Sequence, residues 1–175
     1  MPKPIVVEGP DGAGKSTLVR KLSEFFIRPV IHTGGPPKTQ KEWTERLMMV
    51  GGYADRAVLF DRVPQISEQI YGKLYDRPPL DLPEVLDQNL KDLNPVVVYC
   101  RLDSISAMQD MISHTMKVHK PKQHLDLVFE NFPRLVRDYD RLMDRISLQV
   151  QVIQHSWVDD SYLELTKHLR AALKD

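Results

Sequence analysis

Residues 5–17 read I-V-V-E-G-P-D-G-A-G-K-S-T, and this stretch decides the fold. From Gly9 to Ser16 it fills the pattern G-x-x-x-x-G-K-[ST] without a gap. An apolar run at 5–7 precedes the pattern, and apolar residues at helical spacing follow it in 18–22. A phosphate-binding loop requires this context, in which a strand leads into the loop and a helix leaves it.

The residue types of this loop are suited to a nucleoside triphosphate. Glycines allow successive backbone N–H groups to turn inward around phosphate oxygens, and the N-terminus of the following helix adds a partial positive charge. We expect Lys15 to reach the outer phosphates and the Ser16 hydroxyl to hold Mg²⁺. The predicted phosphate-binding residues are Gly9, Pro10, Asp11, Gly12, Ala13, Gly14, Lys15, Ser16 and Thr17.

The composition is that of one globular domain. The chain has 175 residues, so we expect 1–175 to form a single domain. Its apolar content of 42% is sufficient for a sizeable core. The formal net charge is zero, which argues against a protein held on nucleic acid by bulk charge but leaves a local basic groove open.

The single cysteine and the short apolar runs bear on the compartment. Cys100 ends the apolar run 96–99, so a disulfide framework is excluded and a buried thiol in a reducing compartment is expected. The N-terminus does not have the build of a signal peptide. No apolar run approaches the roughly 18 residues that a membrane span needs. We therefore expect a cytoplasmic protein, in a host cytoplasm if the source is viral, with no membrane partner.

Buried apolar runs alternate with amphipathic helical patterns along the chain. This alternation indicates a parallel sheet with helices on both faces and right-handed crossovers. The predicted fold class is therefore α/β, a three-layer α/β/α sandwich around a five-stranded parallel sheet. We predict strands at 4–8, 29–32, 57–60, 95–102 and 150–153, and helices at 15–26, 39–51, 64–71, 82–93, 104–112, 125–146 and 161–173. Thr39 can cap the second of these helices, and Pro64 opens the third.

Asp61 and Arg62 follow the third predicted strand, and ligands of such sheets bind at the carboxyl ends of the strands. The Asp61 carboxylate can help to hold Mg²⁺ or accept a proton from an attacking hydroxyl; its structural alternative is to cap the next helix. Arg62 can bind a phosphate with two N–H groups or form a structural ion pair. We predict Lys15, Asp61 and Arg62 as catalytic residues, and Ser16 and Asp61 as metal ligands.

The other strand ends and one basic segment offer further candidates. Residues 113–124 read S-H-T-M-K-V-H-K-P-K-Q-H, which is typical either of a lid whose cations neutralise phosphate charge or of a solvated loop. The histidines of this segment do not have zinc-ligand spacing. We predict a lid at about 113–124 with Lys117, Lys120 and Lys122 as its cations. The strand ends add His32, Thr33, Arg101, Asp103, His155 and the turn 157–159.

Taken together, these residues resemble the thymidylate kinase-like branch of the P-loop nucleoside and nucleotide kinases. The resemblance rests on E-G-P-D-G-A-G-K-S-T at 8–17, D-R at 61–62 and S-E-Q-I-Y-G at 67–72. It implies the P-loop kinase fold, ATP as phosphate donor, Mg²⁺ as cofactor and a nucleotide as acceptor. The segment 113–124 is similar in position to the lid of that family.

The resemblance also implies acceptor-binding roles for three residues. Asp11 is similar to the loop aspartate that contacts the acceptor sugar, Arg62 to the arginine that meets the acceptor's phosphate, and Tyr71 to the aromatic residue near the acceptor base. The chain departs from the family at 32–37, where H-T-G-G-P-P replaces an arginine-rich loop, and the lid carries lysines where the family has arginines.

An arginine-poor site is less suited to a free monophosphate, so the acceptor stays open between two kinds. The first is a deoxynucleoside monophosphate, whose phosphate oxygen needs no base. The second is a hydroxyl, on a deoxynucleoside or on a modified base in DNA, with Asp61 as general base; a base within a duplex must first be extruded. Two stretches of the chain resemble those of small viral, including phage-type, 5-hydroxymethyluracil DNA kinases, which act in DNA modification. These stretches are H-T-G-G-P-P at 32–37 and I-S-E-Q-I-Y-G at 66–72.

A third interpretation is a nucleotide-binding ATPase or switch module without kinase activity. The guanine-binding string N-K-x-D of switch GTPases does not occur in the sequence. The sequence alone leaves open which base the acceptor carries, which residues contact adenine, and whether the chain forms a homodimer.

Overall fold

The computed structural model describes residues 1–79, 83–102, 104, 106, 122–156 and 161–174. Strands and helices alternate along these residues, as the hydrophobic pattern predicts. The elements are β1 Ile5–Glu8, α1 Lys15–Phe26, β2 Val30–His32, α2 Gln40–Gly51, β3 Leu59–Asp61, α3 Pro64–Leu74, α4 Pro83–Leu93, β4 Val96–Cys100, α5 Lys122–Glu130, α6 Phe132–Ile146, β5 Gln151–His155 and α7 Tyr162–Ala172.

The strands of the described part of the chain form one five-stranded parallel sheet in the order β2-β3-β1-β4-β5. β1 lies at its centre, and every residue of β1 and β4 is buried. Helices that cover both faces of a parallel sheet explain these continuous apolar strands. Both the fold class and the five-stranded parallel sheet predicted from the sequence are confirmed.

The register of the central strands places the site residues. Val7 of β1 pairs with Asp61 of β3, and His32 of β2 pairs with the same aspartate. The third strand therefore ends on Asp61 itself, one residue later than the pattern predicts. The loop after β1 and the corner after β3 consequently meet at the same edge of the sheet.

The helix starts on either side of β3 test two capping predictions. Thr39 caps α2, because its side chain accepts a hydrogen bond of 3.1 Å from the Glu42 N–H, as predicted. Pro64 opens α3, but the residue before that helix is Val63 and no side chain caps it. The alternative role of Asp61 as a helix cap is therefore wrong, because its carboxylate does not cap α3.

The single long helix predicted at 125–146 is wrong, because α5 and α6 are separated at Asn131. Pro133 causes the break: it has no N–H to donate, and its ring disfavours helical geometry in the preceding turn. Pro133 instead occupies the first turn of α6, where a missing N–H costs little. The buried face of α6 packs on the sheet with Leu135, Tyr139, Leu142, Met143 and Ile146.

Only the last residues of the predicted lid lie within the described part of the chain. These residues, 122–124, belong to the first turn of α5, so the predicted boundary at 124 is wrong and the helix begins earlier. The rest of the lid and most of the helix predicted at 104–112 lie outside the described residues. Among the helices that are described, none has the length and apolarity to span a membrane.

Candidate active site

The loop between β1 and α1 has the backbone geometry that its glycines suggest. Gly12 and Gly14 have φ angles of 82° and 69°, in the left-handed region, and Gly14 is the residue that precedes α1. Gly9 has a φ of 144°, and a Cβ there would lie 2.3 Å from the Cys100 carbonyl oxygen. The loop therefore lies directly against the end of β4, at a distance that only glycine permits.

Lys15 lies at the centre of this loop with only 7% of its surface exposed. Its Nζ donates to the Pro10 carbonyl at 2.6 Å and lies 4.0 Å from Asp11 Oδ1. Burial, followed by the charge of Arg62, lowers the pKa of Lys15 to about 8. A poorly solvated ammonium in a loop of inward-facing N–H groups is well placed to meet phosphate oxygens.

Glu8, at the end of β1, is a buried acid for which the sequence pattern predicted no role. One carboxylate oxygen accepts from the Val63 N–H at 2.8 Å, and the other accepts from the Gly9 N–H at 3.4 Å. Burial raises the pKa of Glu8 to about 7, although Arg62 and these N–H groups lower it. Glu8 thereby ties the start of the phosphate loop to the start of α3.

The three acceptor residues implied by the resemblance lie together. Arg62 Nη2 donates to Asp11 Oδ1 at 2.5 Å, and the Asp11 N–H donates to the Tyr71 hydroxyl at 2.9 Å. The Arg62 guanidinium also lies over the Tyr71 ring, 5.1 Å from its centroid. Arg62 has a φ of 70°, a strained conformation for a long side chain, which is typical of functional sites.

Asp61 lies beside this group at the carboxyl end of β3. Its side chain is 22% exposed, and its Oδ2 lies 3.5 Å from His32 Nδ1 on the neighbouring strand. The carboxylate is therefore partly exposed at the carboxyl end of β3. This position agrees with the predicted roles of metal ligand or base but does not distinguish between them.

A cleft of about 560 Å³ opens next to the phosphate loop, within the size range of small-molecule sites. Among the described residues three arginines line it: Arg46 from α2, Arg62 from the corner after β3, and Arg77 beyond α3. The expectation of an arginine-poor site is therefore wrong for the cleft as a whole. The remaining lining residues are Asp11, Thr33, Gly34, Gly35, Pro36, Pro37, Pro64, Ser67, Glu68, Tyr71, Tyr75 and His124.

Two of these arginines are held by groups of the cleft itself. Arg46 donates to the Gly35 carbonyl, and Arg77 donates to Glu68 Oε2 at 2.6 Å. The sequence analysis predicted neither of them, because it compared only the loop after β2 with the arginine-rich loop of the family and found no arginine there. Spacing offers no signal for them, since they come from elements that meet only in the folded chain.

His124 closes one wall of the cleft from α5. Its Nε2 lies 2.7 Å from Asp11 Oδ2, its Nδ1 is hydrogen-bonded to the Tyr75 hydroxyl, and its ring stacks on that of Tyr75. From the sequence this histidine was considered only as a zinc ligand, and its spacing excluded that role. The structure places it in contact with the phosphate loop.

Other predicted residues lie elsewhere or are not described. Lys117 and Lys120 lie outside the described residues, as do Asp103 and the turn 157–159, and nothing is described of the Lys122 side chain. Arg101 forms an ion pair of 3.1 Å with Asp140. His155 is buried at the end of β5, with 1% of its surface exposed. Neither Arg101 nor His155 lines the cleft.

The oxygen ligands near the loop suit Mg²⁺. Ser16 is exposed in the first turn of α1, and Asp61 ends the strand next to β1. No group of three or more acidic, histidine or cysteine side chains in the described part of the chain is arranged to hold a metal. Mg²⁺ in phosphate sites typically takes one or two protein oxygens and completes its shell with phosphate and water, so a hydroxyl and a carboxylate fit it.

Comparison with known proteins shows the class to which this architecture belongs. No protein-family model and no curated protein sequence matches the chain. Solved structures do match over nearly its whole length. The YorR protein from Bacillus subtilis, in complex with phosphorylated GDP, has a TM-score of 0.73 at 18% identity, and the match covers 98% of this chain and 96% of that one.

Two further structures widen the comparison. Deoxyadenosine kinase from M. mycoides, with products dCMP and dCDP bound, has a TM-score of 0.60 at 16% identity and covers 96% of this chain and 97% of its own. Shikimate kinase from Acinetobacter baumannii has a TM-score of 0.55 at 17% identity, with 99% and 94% covered. The chain therefore has the fold of the P-loop kinases.

Proposed function

We propose that this protein is an ATP- and Mg²⁺-dependent kinase that transfers a phosphoryl group to the phosphate of a deoxynucleoside monophosphate. The observation that carries the proposal is the convergence of Arg46, Arg62 and Arg77 on one cleft beside the phosphate loop. Guanidinium groups bind phosphate with paired N–H donors. Structural neighbours with bound nucleotides, YorR and deoxyadenosine kinase, support the same class of ligand.

The proposed binding of ATP, the phosphate donor, depends on the loop 9–17. Its left-handed glycines and the N-terminus of α1 form a cradle for the phosphates of ATP. Lys15, buried in the loop, would neutralise charge on the outer phosphates. Ser16 and Asp61 would hold Mg²⁺, which would neutralise charge on the phosphates.

The reaction needs positioning and charge stabilisation more than acid–base chemistry. An oxygen of the acceptor phosphate forms a bond to the γ-phosphorus of ATP while the bond to the β–γ bridging oxygen breaks, and ADP leaves with that electron pair. The attacking oxygen is already anionic, so no proton has to be removed. Lys15 and Arg62 both lie near Asp11 Oδ1, at 4.0 Å and 2.5 Å, and would stabilise charge between donor and acceptor.

The deciding assay offers ATP labelled in the γ-phosphate, with Mg²⁺, to the purified protein. The acceptors are deoxynucleoside monophosphates, deoxynucleosides, and plain or 5-hydroxymethyluracil-containing DNA. We expect label on a monophosphate, giving a diphosphate. Label only on nucleosides or on DNA would contradict the proposal. Release of free phosphate with no labelled acceptor would instead support an ATPase module.

Arginine variants test the cleft independently of the loop. Removing one charged donor from a phosphate typically costs about 1.5 to 3 kcal/mol, so Arg46→Gln and Arg77→Gln should each raise the acceptor KM by roughly 10- to 100-fold. The KM for ATP should not change. Arg20→Gln is the matched control, because Arg20 is exposed on α1 and pairs only with Glu24 in the interactions described. Unchanged acceptor KM values in both cleft variants would contradict this assignment.

A hydroxyl acceptor is the second candidate, and one observation favours it. Asp61 Oδ2 lies 3.5 Å from His32 Nδ1, an arrangement in which a carboxylate can take a proton from an attacking hydroxyl. This candidate includes a deoxynucleoside and 5-hydroxymethyluracil in DNA. If label appears on such an acceptor, Asp61→Asn should lower kcat by roughly 10² to 10⁴. Near-complete retention of transfer in that variant would remove Asp61 as base.

A further inference from the structure

Asp11 of the phosphate loop is held from two sides by different parts of the chain. Its Oδ1 accepts from Arg62 at 2.5 Å, and its Oδ2 accepts from His124 Nε2 at 2.7 Å. The carboxylate is 4% exposed, so these contacts replace most of its hydration. Each oxygen therefore has a partner on a separate element, Arg62 at the corner after β3 and His124 on α5.

The hydrogen bond at Nδ1 of His124 determines whether the other ring nitrogen, Nε2, carries a proton. Nδ1 is hydrogen-bonded to the Tyr75 hydroxyl, and the two rings stack with centroids 5.9 Å apart and planes 16° from parallel. When the hydroxyl donates to Nδ1, a neutral imidazole carries its proton on Nε2, which faces Asp11. Tyr75, His124 and Asp11 then form a continuous chain of donors and acceptors that leads to Arg62.

This chain joins elements that are distant in the sequence. Tyr75 directly follows α3, His124 is the last residue of the predicted lid and lies in the first turn of α5, and Asp11 lies in the loop after β1. All three residues and Arg62 line the acceptor cleft. A shift of His124 would therefore be transmitted to the orientation of Asp11 and so to the guanidinium that faces the acceptor.

We propose that His124 is a positioning residue for phosphoryl transfer. By donating from Nε2 to one oxygen of Asp11, it orients the other oxygen toward Arg62 and so fixes the guanidinium that binds the acceptor. The proposal rests on the proposed function for its kinetic part. Because small misplacements of reacting groups slow transfer strongly, loss of this donor should act on the acceptor and not on ATP.

Three substitutions separate the donor from the stacking ring. His124→Gln keeps an N–H donor at the end of a side chain of similar reach, whereas His124→Phe keeps a ring that can stack on Tyr75 but has no donor. We expect His124→Phe to lower acceptor kcat/KM by roughly 10- to 100-fold, and His124→Gln to recover most of it. Tyr75→Phe should have a smaller effect in the same direction. The KM for ATP should stay within about twofold in each variant.

His168→Gln is the matched control, because His168 is exposed on α7, far along the chain from the cleft residues. Thermal melting and ATP binding show whether each variant is folded. If His124→Gln is as impaired as His124→Phe, or if His124→Phe transfers like the wild type, the positioning role is overturned.

A spectroscopic measurement keeps the proposal separate from the proposed function. Long-range ¹⁵N–¹H spectra of histidine-labelled protein report which nitrogen of His124 carries the proton. We expect a proton on Nε2 and a change of its signal in Asp11→Asn. A ring protonated on Nδ1 alone overturns the proposal even if transfer is observed. Absence of transfer to every acceptor in the wild type overturns the proposed function, and the Nε2 result then stands as the test of the contact with Asp11.

Discussion

The phosphate loop and the acceptor cleft are neighbours that are built in opposite ways. The loop is one continuous stretch, 9–17, between a central strand and the helix that follows it. The cleft is assembled from Asp11 of that loop, from the segment after β2, from α2, from the region 62–77 and from His124 on α5. The comparison teaches that the proposed donor site is local in the chain, whereas the proposed acceptor site exists only in the folded protein.

The two regions also differ in how their charges are balanced. Lys15 is surrounded by backbone of its own loop, and its first contact is the Pro10 carbonyl. The arginines of the cleft are paired with side chains or carbonyls of other segments, such as Asp11 and Glu68. We therefore expect an acceptor phosphate to rearrange ion pairs when it binds, and ATP to bind in a loop whose shape is already formed.

The largest effect should come from replacing Lys15, the cation of the proposed donor site. Lys15→Met removes a buried ammonium next to the phosphates, and we expect kcat to fall by roughly 10³ with little change in acceptor binding. Steady-state kinetics and calorimetric titration of the acceptor measure the two parts. Lys41→Met is the control, because Lys41 is exposed on α2 and lies 3.8 Å from Glu45. A fall of less than about 10-fold would remove Lys15 from its predicted role.

Gly9 tests whether the loop depends on the neighbouring strand. Gly9→Ala places a Cβ 2.3 Å from the Cys100 carbonyl at a φ of 144°, so the free energy of unfolding should fall by roughly 2 to 4 kcal/mol. Urea denaturation measures this change in the free energy of unfolding. Gly51→Ala is the matched control: a Cβ there meets nothing within 4 Å, and in a helix alanine should stabilise by up to about 1 kcal/mol. Equal stabilities of the two variants would contradict the close approach.

Arg62 tests the acceptor side of the comparison. Arg62→Gln removes the guanidinium that faces Asp11 and the cleft, and we expect acceptor kcat/KM to fall by roughly 10² while the KM for ATP changes little. Arg62→Lys should recover only part of the loss, because an ammonium lacks the paired donors. A larger effect on ATP than on the acceptor would place Arg62 on the donor side.

The smallest effect concerns Glu8, which links the loop to α3. Its folded pKa of about 7 lies above the ordinary value of 4.5, so burial favours the protonated form. The stability that this contributes is complete below pH 4.5 and is lost as the pH rises through about 7. We expect this group to lower the free energy of unfolding of the wild type by roughly 1 to 3 kcal/mol between about pH 5 and about pH 8, as measured by urea denaturation. This loss should be absent in Glu8→Gln.

Parallel changes of the two proteins with pH would contradict a raised pKa for Glu8. The amide introduced by Glu8→Gln can cause an offset in stability, because one carboxylate oxygen that accepts a hydrogen bond is replaced by an NH₂ group that only donates. That offset is independent of pH, so the difference between the two pH values isolates the titration of the carboxyl group.

Most of the fold and the donor loop could be predicted because their signals are local. Strand and helix periodicity, the Thr39 cap and the glycines of the loop each act within a few residues. The break at Asn131 was missed although Pro133 was visible, because amphipathic periodicity continues across it. Arg46, Arg77 and Glu8 were missed for a different reason, since their partners lie on other elements.

By itself the sequence determined the strand–loop–helix order of residues 5–26 and predicted a phosphate-binding loop there, because backbone dihedral preferences and the order of adjacent elements are properties of neighbouring residues. Only the tertiary structure decided the composition of the acceptor cleft. Register and packing bring together Asp11, Arg62 and His124 from positions far apart in the chain, and no spacing rule relates them. The physical reason is that hydrogen bonds and ion pairs depend on distance in space, which the fold sets and the order of residues does not.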